Sequence, residues 1–386
     1  MSAPVIQPGA TLGVMGGGQL GRMFVHAAQS MGYFTAVLDP DPDSPAGRVS
    51  HRHVHADYLD EKGLVELASC CDAITTEFEN VPAAALASRA LRGPVAPGAE
   101  AVAIAQDRAR EKAHFERCGV ACAPYAVIET VPQLAAVDAA LLPGILKISR
   151  LGYDGKGQQR VKTREELAAA WEGLNRAPCV LEQMLPLAAE CSVIVARGAD
   201  GQMVHLPPQL NLHRDGILAV TEVSEEVLPA DLCRQAIAAS RSIADGLQYV
   251  GVLCVEFFVL ADGSLVVNEM APRPHNSGHW SLDGCDVSQF ELQVRTLAGL
   301  PLTAPRQHSA AVMLNLLGDL WLHGGAERAP QWDAVLKLPG THLHLYGKLS
   351  ARPGRKMGHL NVTAATAKQA RDTALAAAAL LGIEPF

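Results

Sequence analysis

The opening strand–turn–helix–strand segment is the feature that most constrains the fold of this chain. Thr11–Met15 is an apolar run of strand length, and three glycines, Gly16-Gly17-Gly18, follow it directly. The next residues place apolar side chains at helical spacing, and Tyr33–Leu38 is a second apolar run that ends before Asp39. A strand, a helix and a second strand in this order form a βαβ unit, the start of a doubly wound sheet. The sequence therefore predicts a mixed α/β (α+β) fold with an N-terminal doubly wound βαβ domain.

Length and composition limit the functions open to the chain. Its 386 residues suggest two or three domains, at ~150 residues each. A net charge of −8 argues against general binding to nucleic acid or to an anionic membrane, and no apolar run reaches the ~18 residues of a membrane span. The chain start lacks the basic and apolar regions of a signal peptide. The nine cysteines are scattered without a CxxC pair, as in reduced proteins. We therefore expect a cytoplasmic protein with no nucleic-acid and no membrane partner.

The first glycine-rich turn has two interpretations. Gly16-x-Gly18-x-x-Gly21 opens a helix after a strand, as in dinucleotide-binding domains, and Asp39 ends the next strand, where a ribose-binding acid would lie. A turn of this kind also binds other phosphates or carboxylates, because free backbone N–H groups and the helix dipole point at the anion. An NAD-dependent dehydrogenase is therefore one alternative. A later strand, Ala73–Phe78, places Glu77 and Glu79 at a carboxyl end, where active residues of such sheets lie.

A second glycine-rich segment, Gly152–Gln158, follows a predicted strand that carries Lys147. Glycines let backbone N–H groups approach phosphate oxygens closely, and lysines supply compact positive charges. The segment lacks the GxxxxGK[ST] pattern of a Walker A loop. We interpret it as a flexible flap over a polyphosphate; the alternative is a glycine-rich hairpin with surface lysines.

A predicted hairpin places two carboxylates face to face. Asp262-Gly263 between two apolar strands is typical of a two-residue turn, in which Ala261 faces Ser264. Counting back along both strands puts Glu256 opposite Glu269, with Cβ atoms ~5 Å apart. Two carboxylates at that distance among apolar neighbours repel each other, and a divalent cation such as Mg²⁺ resolves the conflict. The alternative is a surface pair in which each glutamate meets a lysine.

Two further stretches are dense in polar groups. The segment Ala271–Trp280 follows the hairpin; its Arg273 can clamp a phosphate or carboxylate, and its His275 can act as a base or serve a structural role. The second stretch carries cations with no acid between them, namely Lys348, Arg352, Arg355 and Lys356. Such a run is usually a solvated face, but a turn at Pro353-Gly354 could bring the cations onto one small anion.

Five segments together identify a family resemblance. They are 16–23 (GGGQLGRM), 77–82 (EFENVP), 152–158 (GYDGKGQ), 271–280 (APRPHNSGHW) and 352–359 (RPGRKMGH). In this order they resemble the 5-(carboxyamino)imidazole ribonucleotide synthases, ATP-grasp enzymes of de novo purine biosynthesis, over nearly the whole chain. The segment 271–280 is specific to this family, whereas the flap alone marks only the superfamily.

The resemblance implies a three-domain ATP-grasp fold. The domains would be an N-terminal βαβ (preATP-grasp) domain at 1–105, a nucleotide-binding domain at 106–302 with a flap subdomain at about 120–190, and a C-terminal domain at 303–386. The implied reaction is the ATP-dependent carboxylation of 5-aminoimidazole ribonucleotide with bicarbonate, through carboxyphosphate, to N5-carboxyaminoimidazole ribonucleotide, ADP and phosphate. ATP and Mg²⁺, with Mn²⁺ as an alternative ion, would be the cofactors. The partners would be these small molecules and a second copy of the chain in a homodimer.

The resemblance also implies the site residues. ATP would contact Arg108, Lys147, Gly152, Tyr153, Asp154, Gly155, Lys156, Gly157, Gln158, Glu182, Gln183, Met184, Leu185, Glu190, His213, Asn268 and Glu269. The ribonucleotide and bicarbonate would contact Glu77, Tyr153, Asp154, Lys156, Arg273, Lys348 and Arg355. Arg273, His275 and Asn276 would be catalytic, and Glu256 and Glu269 would hold the metal ion.

Two departures from the family pattern and several alternatives remain. Leu151 stands where many relatives carry glycine before the flap, which predicts a stiffer base, and Leu210 stands where relatives often have glutamate. Other ATP-grasp ligases, such as a formate-using glycinamide ribonucleotide transformylase or a biotin carboxylase, share the flap and the metal hairpin but lack the segments 271–280 and 352–359. A dehydrogenase would need the first glycine-rich turn to hold a dinucleotide, and a nonenzymatic nucleotide-binding module would bind ATP without releasing phosphate.

Overall fold

The computed structural model describes residues 5–90, 93–152, 157–323 and 326–386. The strands are β1 (Thr11–Met15), β2 (Phe34–Asp39), β3 (Arg52–His55), β4 (Ala73–Thr76), β5 (Tyr125–Ile128), β6 (Gly144–Ile148), β7 (Gln158–Val161), β8 (Cys179–Gln183), β9 (Leu187–Arg197), β10 (Met203–His205), β11 (Gln209–Arg214), β12 (Ile217–Val223), β13 (Gly251–Leu260), β14 (Leu265–Ala271), β15 (Ala310–Leu317), β16 (Leu322–His323), β17 (Ala326–Glu327), β18 (Thr341–Leu345) and β19 (Lys356–Ala364).

The helices follow the same numbering along the chain. They are α1 (Gln19–Ser30), α2 (Glu61–Cys70), α3 (Ala83–Ala90), α4 (Ala99–Ala105), α5 (Arg108–Arg117), α6 (Val131–Ala135), α7 (Arg164–Gly173), α8 (Ala230–Gly246), α9 (Ser281–Gly284), α10 (Gln289–Ala298), α11 (Trp332–Val335) and α12 (Ala367–Leu381). Short 3₁₀ turns cover Ala139–Leu141, Asn276–Gly278 and Gly318–Trp321.

The N-terminal sheet is parallel, with the strand order β3-β2-β1-β4. Helix α1 joins β1 to β2, which pair with Val14 opposite Val37. The apolar stripe of α1 is buried in one core with residues of α10; Phe24 and Val294 are fully buried there. Burial of such a side chain contributes about 1.5–3 kcal/mol relative to its exposure. This confirms the predicted βαβ start and places the turn between β1 and α1 beside the carboxyl end of β4.

A nine-stranded antiparallel sheet dominates the rest of the molecule. Eight strands follow the order β14-β13-β9-β11-β12-β15-β19-β18, and β10 pairs with β9. The last three strands of this order lie beyond residue 302, so the sheet is continuous across the predicted boundary between the central and C-terminal domains. Helix α12 packs on this end of the sheet through Ala374 and Leu381. The predicted domain boundaries, including that of the flap subdomain, stay predictions.

A smaller antiparallel sheet has four strands in the order β5-β8-β6-β7. These strands come between the N-terminal sheet and the large sheet in the sequence. Helix α7 buries Leu167 and Trp171 in the same core as Leu146 and Leu181 of this sheet. The segment Thr163-Arg164-Glu165-Glu166 has the pattern of a capping box, a threonine followed three residues later by glutamate. In the structure Thr163 caps α7 by accepting the N–H of Glu166. Residues 184–186 connect β8 to β9, so a short segment links the small sheet to the large one.

The hairpin of β13 and β14 confirms the predicted pairing of Glu256 with Glu269, but its turn is different. Leu260 donates its N–H to Ser264, so the loop has three residues, and the expected pairing of Ala261 with Ser264 is wrong. Gly263 ends this loop at φ +83°, the left-handed conformation that three-residue hairpin loops require.

A β-bulge restores the register of the hairpin before the two glutamates. Phe257 pairs with Val267 and Glu256 with Glu269, so Asn268 is the extra residue. A bulge re-aims side chains and is frequent beside functional sites. The longer turn and the bulge each shift the register by one residue, and the two shifts cancel at Glu256.

Within the described residues, none of the helices combines the length and the apolar character that crossing a membrane would require.

Candidate active site

Carboxylates of the chain itself occupy the first glycine-rich turn. Glu77 accepts the N–H of Gly18 at 2.6 Å and that of Gly21 at 2.7 Å, one on each oxygen. Asp39 accepts the N–H of Gly17 at 2.6 Å. The close approach excludes a side chain, because a Cβ on Gly18 would lie 2.4 Å from Glu77 Oε1. The turn therefore binds an anion, as its sequence indicates, but built-in carboxylates fill the place of a dinucleotide phosphate.

A cavity of about 1060 Å³ lies between the small and the large sheet. Eight of the residues assigned to ATP line it, namely Arg108, Lys147, Gly152, Gln158, Glu190, His213, Asn268 and Glu269. Glu256, Arg273, His275 and Asn276 line the same cavity. Convergent cations and carboxylates in a cleft of this size suit a nucleoside triphosphate with its counterion.

A buried carboxylate holds Lys147 in place at the wall of this cavity. Its Nζ donates to Glu182 Oε2 at 2.9 Å, and Lys112 Nζ lies 3.2 Å from Oε1 of the same residue. Burial raises the pKa of Glu182, but the two lysines outweigh it and hold that pKa below its usual value. Glu182 therefore acts as a charged support that orients Lys147.

Three oxygen-bearing side chains meet on the hairpin of β13 and β14. The bulge brings Asn268 to the cavity wall beside Glu256 and Glu269, although an ideal strand would turn it to the other face. Arg108 of α5 donates to Glu269 at 3.0 Å, so this carboxylate has a cation partner from outside the hairpin. Glu256 Oε1 and Asn268 Oδ1 are buried and have no hydrogen-bond partner among the described residues. Such unpartnered carboxylate and amide oxygens fit Mg²⁺ or Mn²⁺.

The electrostatic balance at this hairpin is uneven. Burial and the charge of Glu269 raise the pKa of Glu256, whereas Arg108 holds the pKa of Glu269 low against the effect of burial. Glu111 of α5 accepts the N–H of Met270 at 2.7 Å, and burial together with Glu269 raises the pKa of Glu111 to about 8. A cation between the two hairpin glutamates would remove their repulsion.

The strands next to the hairpin in the large sheet, β9 and β11, add a polar pair and apolar surface to the cavity. His213 Nδ1 lies 2.8 Å from Glu190 Oε2 on the neighbouring strand. Burial lowers the pKa of His213, but Glu190, Glu256 and Glu269 together outweigh it and raise that pKa above its usual value. Leu187 and Leu151 also line the cavity and are exposed, as expected of side chains that would cover a nucleobase.

A second cavity of about 340 Å³ opens beside the first glycine-rich turn. Glu77, Lys348 and Arg355, all predicted for substrate binding, line it. Lys348 donates to Gln19 Oε1 at 2.7 Å, and Arg355 donates to the backbone oxygen of Ser350 at 2.8 Å. Several cations and carboxylates line this small cavity. They suit a phosphorylated sugar, because cations bind phosphate and carboxylates accept hydrogen bonds from hydroxyl groups.

The two cavities meet at a junction. Both are lined by Phe78, Glu79, Arg273, Asn276 and Lys356. Arg273 Nε donates to Glu79 Oε2 at 2.5 Å, and this partner holds the pKa of Glu79 low although burial raises it. Ligands bound in the two cavities would therefore meet at Glu79 and Arg273.

His275 lies on the larger-cavity side of this junction. Its Nδ1 bonds Ser277 Oγ at 2.9 Å, and its Nε2 lies 3.4 Å from Glu256 Oε1. Burial and the nearby Arg273 lower the pKa of His275 well below its usual value. A neutral ring can orient a ligand by a hydrogen bond without adding charge.

Some predicted site residues lie elsewhere. Tyr153, Asp154, Gly155 and Lys156 of the flap are outside the described residues. Glu182, Gln183, Met184 and Leu185 do not line either cavity in the described part of the chain; they belong to β8 and its link to β9. Gly157 adopts φ +72° and Leu151 adopts φ +63°. Both values lie in the left-handed region that favours glycine.

Lys112 and Glu111 were not predicted from the sequence. Both are buried on α5, and with Arg108 and Phe115 they recur at helical spacing. Charged residues on the stripe that a helix normally buries are a signal of a functional or ion-paired face. That signal was present in the sequence, but the partners of these residues come from distant strands.

Three family models match consecutive parts of the chain. They are a ribonucleotide synthetase preATP-grasp domain over residues 9–106, an ATP-grasp domain over 113–290 and a phosphoribosylaminoimidazole carboxylase C-terminal domain over 311–373. Together with the cleft between two antiparallel sheets, these matches define an ATP-grasp protein and confirm the predicted fold class.

Individual relatives narrow the class further. The N5-carboxyaminoimidazole ribonucleotide synthase of Brucella melitensis biotype 1 is 45% identical over 93% of this chain and 98% of its own length. A crystal structure of N5-carboxyaminoimidazole synthetase from Staphylococcus aureus complexed with ADP has 36% identity and a TM-score of 0.89, covering 97% of this chain and 99% of that one. The Aspergillus clavatus N5-carboxyaminoimidazole synthase, solved with ADP and 5-aminoimidazole ribonucleotide, has 30% identity and a TM-score of 0.87, covering 97% and 98%. The chain belongs to the N5-carboxyaminoimidazole ribonucleotide synthase family, as the resemblance predicted.

Proposed function

We propose that the chain catalyses the ATP-dependent carboxylation of 5-aminoimidazole ribonucleotide with bicarbonate, giving N5-carboxyaminoimidazole ribonucleotide, ADP and phosphate, in purine biosynthesis. The observation that carries this proposal is the junction at Glu79 and Arg273, where a triphosphate-sized cavity meets a cavity suited to a phosphorylated sugar. The Aspergillus relative was solved with ADP and 5-aminoimidazole ribonucleotide, ligands of the two kinds that these cavities suit.

The larger cavity would hold ATP through charge neutralisation. Lys147, supported by Glu182, would contact phosphate oxygens, and the remaining lining residues predicted for ATP would complete the site. Glu256, Asn268 and Glu269 would hold Mg²⁺ or Mn²⁺, which, when bound, neutralises charge on the phosphates during transfer. The buried oxygens of Glu256 and Asn268, which have no hydrogen-bond partner among the described residues, support this assignment.

Phosphoryl transfer would take place on the larger-cavity side of the junction. A bicarbonate oxygen attacks the γ-phosphorus, the bond to the ADP oxygen breaks, and carboxyphosphate forms. Arg273 has N–H groups beyond the one bonded to Glu79, and these would hold bicarbonate together with the neutral ring of His275 and the amide of Asn276. Phosphoryl transfer needs positioning and charge neutralisation more than covalent help, and this set would supply the positioning.

The carboxyl group would then pass across the junction. Cleavage of the C–O bond of carboxyphosphate gives CO₂ and phosphate, and the exocyclic amine of the ribonucleotide attacks the carbon and loses its proton to phosphate. Lys348 and Arg355 would hold the substrate phosphate, and Glu77 would accept a sugar hydroxyl. Carboxyphosphate hydrolyses readily, so water must be excluded; the flap at 152–158, with Tyr153, Asp154 and Lys156 as substrate contacts, is proposed for that task.

Phosphate release tests the proposal. The protein is incubated with MgATP and bicarbonate, with and without 5-aminoimidazole ribonucleotide. We expect release to depend strongly on the ribonucleotide. Release that ignores it but responds to formate with glycinamide ribonucleotide, or to biotin, would move the function to a sister ligase. Binding of ATP with no release under any condition would contradict an enzymatic function.

We also propose a cytoplasmic location and a homodimeric assembly. None of the nine cysteines, all of which the structure describes, forms a disulfide, which supports the proposal of a reducing, cytoplasmic setting. A homodimer is proposed from the family resemblance, and light scattering at assay concentration tests it, because a monomer mass would contradict it.

A further inference from the structure

Three side chains with metal-binding atoms converge at one corner of the larger cavity. Cys254 and Glu256 are two residues apart on β13 and therefore project from the same face of the sheet, and His275 approaches them from the segment after β14. One ligand atom of each residue lies within 4.8 Å of the other two. Only Glu256 of this trio belongs to the proposed Mg²⁺ site, so the cluster is a different donor set that shares one carboxylate.

Two of the three ligand atoms are already prepared for an ion. Glu256 is only 9% exposed, and its Oε1 has no hydrogen-bond partner in the ranges described here. An unsatisfied buried oxygen is costly unless a ligand compensates for it. Ser277 holds the His275 ring, because its Oγ lies 2.9 Å from Nδ1 and its backbone N–H donates to the same nitrogen at 3.4 Å. The other ring nitrogen, Nε2, lies 3.4 Å from Glu256 Oε1. In the tautomer that leaves Nε2 free for a metal ion, Nδ1 donates to Ser277 Oγ, which is the kind of support that metal-ligating histidines have.

We propose that Cys254, Glu256 and His275 form an inhibitory site for Zn²⁺ and similar thiophilic ions. Sulfur, imidazole nitrogen and carboxylate oxygen are the ligands of Zn²⁺, whereas Mg²⁺ selects oxygen. Glu256 and His275 line the cavity, so the ion enters from there, and Cys254 is the fully buried ligand behind them. On binding, the metal–sulfur bond forms and the thiol proton is released to solvent.

Such an ion would inhibit the reaction because it would occupy Glu256 and His275, which both have proposed roles in it. Glu256 would no longer serve the Mg²⁺ site, and His275 would no longer orient bicarbonate. Inhibition should therefore weaken as the Mg²⁺ concentration rises. This consequence rests on the proposed function, but the binding of the ion does not.

Binding is measured first, on the full-length protein without nucleotide. Cd²⁺ replaces Zn²⁺ as the probe, because a cadmium–thiolate bond produces an ultraviolet charge-transfer band. The comparison variants are Cys254→Ala and Cys254→Ser. The matched control is Cys70→Ala, since the Cys70 and Cys71 sulfurs lie 3.8 Å apart and offer Cd²⁺ another thiol pair.

We expect the wild type and Cys70→Ala to share one cadmium-binding equivalent that both Cys254 variants lack. In the phosphate-release assay, the Zn²⁺ concentration that halves the rate should rise by about tenfold or more in the Cys254 variants, because even outer-shell ligand changes cost 10–100-fold in metal affinity. Cys254 variants that bind as many cadmium equivalents as the wild type would overturn the site, whether or not the enzyme releases phosphate. Binding that is lost in those variants, with unchanged Zn²⁺ inhibition, would overturn the inhibitory role.

Discussion

The glycine-rich turn at Gly16–Gly21 collects hydrogen-bond donors, and the hairpin that carries Glu256 and Glu269 collects oxygen acceptors. The chain supplies carboxylates to the turn, but within its described residues it leaves part of the hairpin without a partner. In the turn, backbone N–H groups are satisfied by Asp39 and Glu77. In the hairpin, Arg108 reaches Glu269, while Glu256 Oε1 has no hydrogen-bond partner within the described segments. A sequence motif shows the charge that a site collects, and the structure shows whether the opposite charge is built in or must be bound.

This difference explains why the dinucleotide motif misleads. The turn has the spacing, the strand before it and the helix after it that a dinucleotide site requires. Its glycines instead make room for Glu77, which arrives from a strand about sixty residues later in the chain. The hairpin, whose motif is far weaker as a pattern, is the place where an external ion fits.

The largest expected effect comes from neutralising Glu256, the hairpin carboxylate proposed to bind a metal ion. We expect Glu256→Gln to lower the rate of ribonucleotide-dependent phosphate release by ~100-fold or more, the scale of losing one preorganised electrostatic contact. The ligand-free protein should become more stable by about 1 kcal/mol, because a buried charge without a hydrogen-bonded partner is removed. Kinetics and urea unfolding measure the two effects. Asp262→Asn, at the exposed tip of the same hairpin, is the control and should change neither; retained activity in Glu256→Gln would contradict the metal assignment.

Removing Glu77 tests whether this carboxylate is the counterion of the glycine-rich turn. We expect Glu77→Ala to lower the free energy of unfolding by about 1–3 kcal/mol, because the N–H groups of Gly18 and Gly21 lose their charged acceptor. Added sulfate should restore part of that stability in the variant and have a smaller effect on the wild type, since the emptied turn becomes an anion site. Urea unfolding with and without sulfate measures this. An equal effect of sulfate on both proteins would show that Glu77 is not the counterion of the turn.

The buried pair His279 and His359 provides a third case, in which two groups that could carry the same charge stay neutral. The ring centroids of His279 and His359 lie 4.6 Å apart, and burial lowers the pKa of both well below the usual 6.5. The unfolded chain binds protons on these rings below pH 6.5 and the folded protein does not, so stability must fall as pH drops through that range. The expected slope is up to ~1.4 kcal/mol per pH unit for each ring. His359→Gln should show a shallower decline than the wild type in urea unfolding at several pH values; parallel declines would exclude this pair as the cause.

The smallest expected effect concerns the base of the flap. Leu151 adopts φ +63°, a conformation that costs a residue with a Cβ roughly 1–2 kcal/mol. Leu151→Gly should therefore change the free energy of unfolding by between 0 and about +1 kcal/mol, because glycine's extra unfolded-state entropy offsets part of the relief. Leu151→Ala keeps the strain and is the control; thermal unfolding compares the two. A Gly variant less stable than the Ala variant would contradict the strain at this residue.

The sequence was informative where local rules determine structure and less so where distant segments meet. The βαβ start and the N-cap Thr163 follow from local pattern. The pairing of Glu256 with Glu269 is correct although the turn was mispredicted, because the three-residue loop and the bulge at Asn268 cancel. Nothing in the local pattern of either strand requires that bulge.

The buried charged residues that support the site could also be predicted only in part. Lys112 and Glu111 could have been recognised as charged residues on the buried stripe of α5. Their partners, Glu182 and the backbone of Met270, lie far along the chain, so only the fold brings them together. The junction of the two cavities at Arg273 and Glu79 joins residues 194 positions apart, and no spacing rule connects them.

The fate of a bicarbonate oxygen tests the proposed reaction at that junction most directly. The protein is given MgATP, 5-aminoimidazole ribonucleotide and isotopically oxygen-labelled bicarbonate, and the released phosphate is analysed by mass spectrometry before the label exchanges with water. Attack of bicarbonate on the γ-phosphorus followed by C–O cleavage predicts one labelled oxygen in each phosphate. Unlabelled phosphate, which would have taken its new oxygen from water, would contradict carboxyphosphate formation between Arg273 and the bound nucleotide.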